Sequence, residues 1–174
     1  GIPVKGYNHM IGKMLEKSDV FLSVSFKDAR INARQIVYTG ALDELYDYCF
    51  GPLEWRSLRF EHNCLPTHNF QGVAVMNYTG KEPFTRIIEH KHFLPGNQPV
   101  TVISREYPDE WNPGKEPYYP VNDQRNLALQ ARYGERAKKD GYIVLGRLGE
   151  YRYFDMQDTI KSVFRMAKEM GMTV

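Results

Sequence analysis

Four runs with strand character, "LEWRSLRFE", "GVAVMNY", "FTRIIEHKHF" and "VTVISREY", follow one another between residues 53 and 107, separated by loops holding Pro, Gly and Asn. Parallel strands need a long crossover, usually a helix, and no helical pattern falls between these runs, so antiparallel pairing is expected. The flanks carry a different pattern. Met10, Ile11, Met14 and Leu15 share one stripe, which predicts a short helix over 6–17, and the alternation of Val20, Leu22 and Val24 predicts a strand. "QIVYTG", 35–40, reads as a buried strand closing on Thr-Gly. It leads into a helix whose face is Leu42, Leu45, Tyr46 and Cys49 and which ends at Gly51. Beyond the four runs, "WNPGKEPYYPVND" is loop chemistry, 124–139 is helical, "YIVLG" is a strand, and 157–170 is a helix with its stripe on Ile160, Val163, Phe164, Ala167 and Met170. The sum is an α+β fold, an antiparallel sheet inserted between strand–helix elements, in three stretches: 1–52, 53–123 and 124–174.

A chain of 174 residues is long enough for one core. Its net charge of +2 gives no electrostatic ground for a nucleic-acid or membrane-surface partner. Aromatics are plentiful, with 12 Tyr, 9 Phe and 2 Trp. A tyrosine joins a flat apolar face to a hydroxyl, which suits sugar and nucleotide contacts, although it packs equally well on sheets. Cys49 and Cys64 lack the spacing of a zinc or redox motif, so a reducing cytoplasm is expected. No apolar stretch approaches the roughly 18–20 residues of a membrane span. Beginning Gly-Ile-Pro-Val, without methionine, the chain is expected to be a piece of something longer.

Several constellations carry possible chemistry. Strand periodicity in "FTRIIEHKHF" puts Arg86, Ile88, His90 and His92 on one face. With His62 or His68 the imidazoles can be drawn as a metal site, yet nothing completes a known ligand spacing, and no metal is expected. Arg86 could be a salt-bridged surface residue or an anion ligand, since its planar fork matches phosphate oxygens two at a time. Tyr118 and Tyr119 lie in "EPYYPVND", a segment stiffened by proline, and either cover a core edge or present hydroxyls at small entropic cost. In "GRLGEYRYFDM", 146–156, Gly146 lets backbone approach a ligand and Arg147 adds charge, while Asp155 is equally the residue type of a helix N-cap. No glycine-rich nucleotide loop, nucleophile elbow or zincin motif is present in the sequence. The residues by themselves lead to a globular domain suited to an anionic, sugar-like ligand.

In order along the chain, "GIPVKGY", "YTGALDELYDYCFGPLEWRSLRFE", "NFQGVAVMNYT", "FTRIIEHKHF", "SREYPDEW", "EPYYPVND" and "GRLGEYRYFDM" closely resemble the C-terminal half of the bacterial UDP-galactopyranose mutase family. The resemblance implies a cytoplasmic flavoenzyme that interconverts UDP-galactopyranose and UDP-galactofuranose for surface polysaccharides, with N5 of reduced FAD attacking the anomeric carbon. It implies that 1–52 and 124–174 belong to an FAD-binding α/β fold and that 53–123 is the substrate-binding sheet. Catalytic roles fall to Arg86, Tyr119, Tyr153 and Asp155. Substrate binding falls to Asn77, Arg86, Tyr119 and Tyr153, with the tyrosines on the diphosphate and Asn77 near the uridine. Thr39, Gly40, Arg56, Arg147, Leu148, Asp155 and Met156 are implied to meet the FAD.

Two departures stand out: the family usually has Gly-Gly-Arg where this chain has Leu145-Gly146-Arg147, and the turn in "YTGKEPFTR" is about one residue short. The family's N-terminal half supplies the glycine-rich loop, so the missing half of the same enzyme is an expected partner, alongside UDP-galactose and a second copy in a homodimer. The chain alone is expected neither to retain FAD nor to turn over, and to bind UDP weakly. Two rival classes are a non-catalytic nucleotide-sugar-binding module and an antiparallel-sheet interaction domain without a small ligand.

Overall fold

The computed structural model describes residues 2–94 and 96–173. Its elements in chain order are α1 (Gly6–Met14), β1 (Ile36–Tyr38), α2 (Leu42–Leu45), β2 (Trp55–Leu65), β3 (Val75–Asn77), β4 (Arg86–Glu89), a 3-10 turn (His90–His92), β5 (Thr101–Glu110), β6 (Tyr119–Pro120), α3 (Gln124–Lys139), β7 (Tyr142–Val144), α4 (Gly146–Gly149) and α5 (Met156–Glu169). The content is mixed α and β with an antiparallel sheet. The chain forms two compact units, Gly1–Ala29 with Leu58–Pro108 and Arg30–Ser57 with Asp109–Val174.

In the first unit the strands stand in the order β3-β4-β5-β2, with β4 antiparallel to both β3 and β5. Ile87 and Ile103 are buried on one face. Among them lies a carboxylate, Glu89, fully closed off from solvent. It accepts hydrogen bonds from the backbone N–H groups of Phe70 (3.0 Å) and Gln71 (2.8 Å) and from the Thr101 hydroxyl (2.8 Å), and His92 Nε2 stands 3.1 Å away. Burial alone pushes a carboxyl up, but here the two backbone donors, the hydroxyl and the imidazole outweigh it and hold Glu89 down at about 2. Glu89 therefore fastens the loop before β3 to β4 as an ionised group.

In the second unit β1 and β7 pair in parallel, Ile36 opposite Tyr142 and Tyr38 opposite Val144. A parallel pair demands a long connection between its strands, and α3 packs beside β7 as part of it. The core joins Leu42, Leu53, Trp55, Leu129, Tyr133, Ala137 and Tyr151. Leu129, Tyr133 and Ala137 recur every four residues, the spacing of one helical face. The helix begins where Asp123 accepts the Asn126 N–H at 2.7 Å, an N-cap. Two buried tyrosines fasten this core through their hydroxyls. Tyr133 accepts from the Phe50 N–H at 3.0 Å and bonds the Gly51 carbonyl at 2.8 Å. Tyr151 accepts from the Val121 N–H at 3.0 Å and donates to the Glu54 carbonyl, with its ring edge-on to Trp55 at 4.8 Å. Burial raises the Tyr151 phenol to about 12, so it stays a donor throughout the working pH range.

Four expectations are corrected. Residues 20–24 form no strand: their alternation is real, but among the described residues they join neither sheet, and Phe21 and Leu22 stand 80% and 82% exposed. The helix after β1 stops at Leu45, because Asp47 and Tyr48 take left-handed φ of 52° and 56°. β4 ends at Glu89 and the chain turns into the 3-10 segment, so His90 and His92 do not share a strand face. His90 Nε2 meets Ser104 Oγ at 2.6 Å, as does His62 Nδ1, while His92 turns to Glu89. The proline-rich loop contains β6, where Tyr119 registers with Arg56 and Pro120 with Trp55. Proline is tolerated there because β6 pairs only with β2 in the sheet order. The α5 helix forms as expected, capped by Asp155, yet Ile160, Val163 and Phe164 of its apolar stripe remain exposed.

Candidate functional site

In the first unit the geometry centres on Arg86. The β3–β4 register sets Asn77 opposite Arg86, and the β4–β5 register sets Glu106 opposite it on the other side. The guanidinium uses both neighbours: Nε donates to Asn77 Oδ1 at 2.9 Å and Nη1 to Glu106 Oε2 at 3.3 Å. Glu106 is itself buried and accepts from the Thr85 hydroxyl at 3.2 Å through its other oxygen. A planar fork held on one edge by a carboxylate and an amide keeps its remaining N–H groups in a fixed direction, which is what recognition of an anionic oxygen requires. Asn77, expected near the uridine, accepts from Arg86 and so helps to aim the guanidinium. Glu106 was missed in the sequence because its pairing with Arg86 depends on strand register.

In the second unit three expected residues converge. Tyr119 and Tyr153 come from β6 and from the segment before α5, and their rings stand 5.6 Å apart at 31°. The Arg147 guanidinium lies against both, 5.3 Å from the Tyr119 ring and 4.9 Å from the Tyr153 ring. Tyr153 is 64% exposed, so its hydroxyl is accessible. Arg147 follows Gly146, whose φ of +82° places it in the left-handed region and whose Cβ position would lie 3.5 Å from the Thr39 side chain. Thr39 is exposed and Gly40 partly so, both just past the carboxyl end of β1 and close to the turn of α4. The carboxyl ends of parallel strands are where open α/β sheets bind ligands.

The other expected residues lie apart from that cluster or in structural roles. Leu148 packs against the buried core. Arg56 is exposed, and its backbone carbonyl accepts from the Tyr118 N–H at 3.1 Å. Asp155 caps α5, accepting from the Asp158 N–H at 3.0 Å. Met156, the first residue of α5, is exposed. Among the described residues no three His, Cys, Asp or Glu side chains form a metal-holding group, and no helix is long and apolar enough to cross a membrane.

A model of the UDP-galactopyranose mutase family matches residues 1–153. The chain belongs to the UDP-galactopyranose mutase family. It is 34% identical to a probable UDP-galactopyranose mutase of Klebsiella pneumoniae, with 97% of this chain and 45% of that protein covered. A UDP-galactopyranose mutase of Mycoplasma pneumoniae is 34% identical over 98% of this chain and 48% of its own length. A dTDP-fucopyranose mutase of Escherichia coli is 31% identical over 97% and 48%. The chain thus spans about half the length of the curated relatives it matches. The matched residues include both the Arg86 group and the Tyr119–Arg147–Tyr153 cluster, and α5 lies beyond the family match.

Proposed function

We propose that these residues are part of a flavin-dependent isomerase that interconverts UDP-galactopyranose and UDP-galactofuranose in the cytoplasm, a compartment consistent with the free thiols of Cys49 and Cys64. The observation that carries the proposal is the approach of Tyr119 and Tyr153, distant in sequence, to 5.6 Å with a guanidinium against both rings. Two phenolic donors beside a cation suit a diphosphate, which offers acceptor oxygens and negative charge.

In this reading Tyr119 and Tyr153 donate to the diphosphate and hold the nucleotide while the sugar changes ring size. Within the first unit, Arg86, aimed by Asn77 and Glu106, turns its remaining N–H groups to an anionic oxygen. Positioning of this kind lets a leaving group stay bound and return to the rearranged sugar. Past β1 the exposed Thr39 hydroxyl, and at the start of α5 the exposed Met156 side chain, would meet one side of a flavin, the first as a polar contact and the second as an apolar one. A reduced flavin held there would supply the nucleophile for the anomeric carbon. The strand–helix elements of the second unit would then belong to its FAD-binding fold.

A polypeptide joining these residues to the remainder of the relatives' length is the direct test. It is expected to bind FAD and to convert UDP-galactofuranose to UDP-galactopyranose only after the flavin is reduced, followed by chromatography of the sugar nucleotides. Conversion of dTDP-fucopyranose alone would reassign the substrate, and no conversion of either would overturn the reading. In that polypeptide Glu106→Gln is expected to lower kcat about tenfold, because the weaker partner loosens the aim of Arg86 at a cost near one charge-assisted hydrogen bond. Unchanged kinetics would remove Glu106 from the account.

A further inference from the structure

We infer that Arg147 is a positioning residue: it sets the separation of Tyr119 and Tyr153 by clamping the two backbone segments that carry them. The inference rests on the nucleotide-sugar reading of those tyrosines. It goes beyond that reading by giving Arg147 a role on the substrate side, exerted through its neighbours.

The hydrogen bonds show how the clamp works. Arg147 Nη2 donates to the Tyr118 carbonyl, next to Tyr119, and Nη1 donates to the Phe154 carbonyl at 3.3 Å, next to Tyr153. One planar group thus ties together the chain on either side of the tyrosine pair, with its central carbon 5.3 and 4.9 Å from the two ring centroids. Two of its five N–H groups are thus taken by carbonyls, and Nε is buried without an acceptor. Each terminal nitrogen of the fork is therefore already engaged by a protein carbonyl. A side chain committed in this way contributes through the spacing it imposes.

The base of the clamp is equally determined. Gly146 takes a left-handed φ that a side chain rarely adopts, and Gly149 has Val144 Cγ1 at 3.0 Å and the Tyr38 carbonyl at 3.2 Å from its Cβ position. The single turn of α4 is thereby pressed onto the ends of β1 and β7, and Arg147 projects from a fixed base. Lysine keeps the charge but lacks the planar fork that reaches two carbonyls, so it separates the two roles.

The test is calorimetric titration of this chain with UDP in wild type, Arg147→Lys, Arg147→Met and Tyr119→Phe, and in the double variants with Tyr119→Phe. The clamp predicts that Arg147→Lys loses affinity about tenfold, as much as Arg147→Met, a loss the size of one charge-assisted hydrogen bond. It also predicts that either change costs little more once Tyr119 has lost its hydroxyl, since both act on the same contact. Recovery of affinity with lysine, or losses that add in full, would overturn it by showing a direct charge on the ligand. If the wild-type chain binds no UDP, the nucleotide-sugar reading fails for this chain, and the clamp is still decided without ligand. The ring resonances of Tyr119 and Tyr153 must then shift in Arg147→Lys while those of Tyr133 stay in place. An unchanged pair of rings would overturn the clamp on its own, and unfolding of Arg147→Met leaves the Arg147→Lys comparison intact.

Discussion

Replacing Glu89 with glutamine is expected to destabilise the first unit by about 3 kcal/mol at pH 7, the size seen when one member of a buried charged network is removed. The carboxylate accepts from the Phe70 and Gln71 N–H groups and from Thr101, with His92 alongside. A glutamine has one acceptor oxygen and turns an amide donor toward other donors, so at least one backbone N–H is left without a partner. Because Glu89 titrates at about 2 when folded against an ordinary value of 4.5, its contribution is fully present above 4.5 and is lost as the pH falls toward 2. Urea unfolding at pH 7 and near pH 3 should therefore show wild type losing stability on acidification and Glu89→Gln losing less. Equal losses in both proteins would mean the carboxylate is not the group that titrates. Because Glu89 ties the loop before β3 to β4, the variant should also loosen the register that joins Asn77 to Arg86.

The second large effect is expected at Tyr151. Tyr151→Phe keeps the ring against Trp55 but removes a hydroxyl that meets the Val121 N–H and the Glu54 carbonyl. The Val121 N–H still donates to the Glu54 carbonyl at 3.1 Å, so neither group is orphaned, and the cost is that of the lost hydroxyl bonds, about 1 kcal/mol in thermal or urea unfolding. The consequence reaches the tyrosine cluster, because Val121 follows directly on β6 and Tyr119. UDP affinity should fall along with stability. A variant as stable as wild type would show that water replaces the hydroxyl and that the anchor is weaker than its geometry indicates.

Much of this fold was legible because local signals and tertiary packing agree. The helical reading of 124–139 agrees with α3, which the Asp123 cap and the buried face Leu129–Tyr133–Ala137 hold in place, and the Asp155 cap marks the start of α5. The antiparallel character of the central runs followed from the lack of room for crossovers. Where local signals need a partner from elsewhere, they mislead. Val20, Leu22 and Val24 alternate but join neither sheet among the described residues, and the apolar stripe of α5 forms a helix while Ile160, Val163 and Phe164 stay exposed. His90 and His92 were misassigned because β4 stops at Glu89, whose side chain is satisfied only by loop residues far away in sequence.

The candidate site shows the same division. Arg86, Tyr119, Arg147 and Tyr153 are named as candidates from the strings that carry them, by residue type and family resemblance. What aims them could not. Glu106 meets Arg86 through strand register, and Arg147 grips carbonyls of two segments that only the folded chain brings together. Backbone acceptors have no sequence signature, because every residue carries one.

The claim at the centre of this account is that the chain carries a diphosphate-binding part of a nucleotide-sugar site. Calorimetric titration of the 174-residue chain with UDP, and with uridine as the ligand lacking phosphate, tests it most directly. The account predicts saturable binding of UDP, none of uridine at the same concentrations, and loss of the UDP signal in Tyr119→Phe/Tyr153→Phe. Equal binding of UDP and uridine, or UDP binding untouched by removal of both hydroxyls, would contradict it.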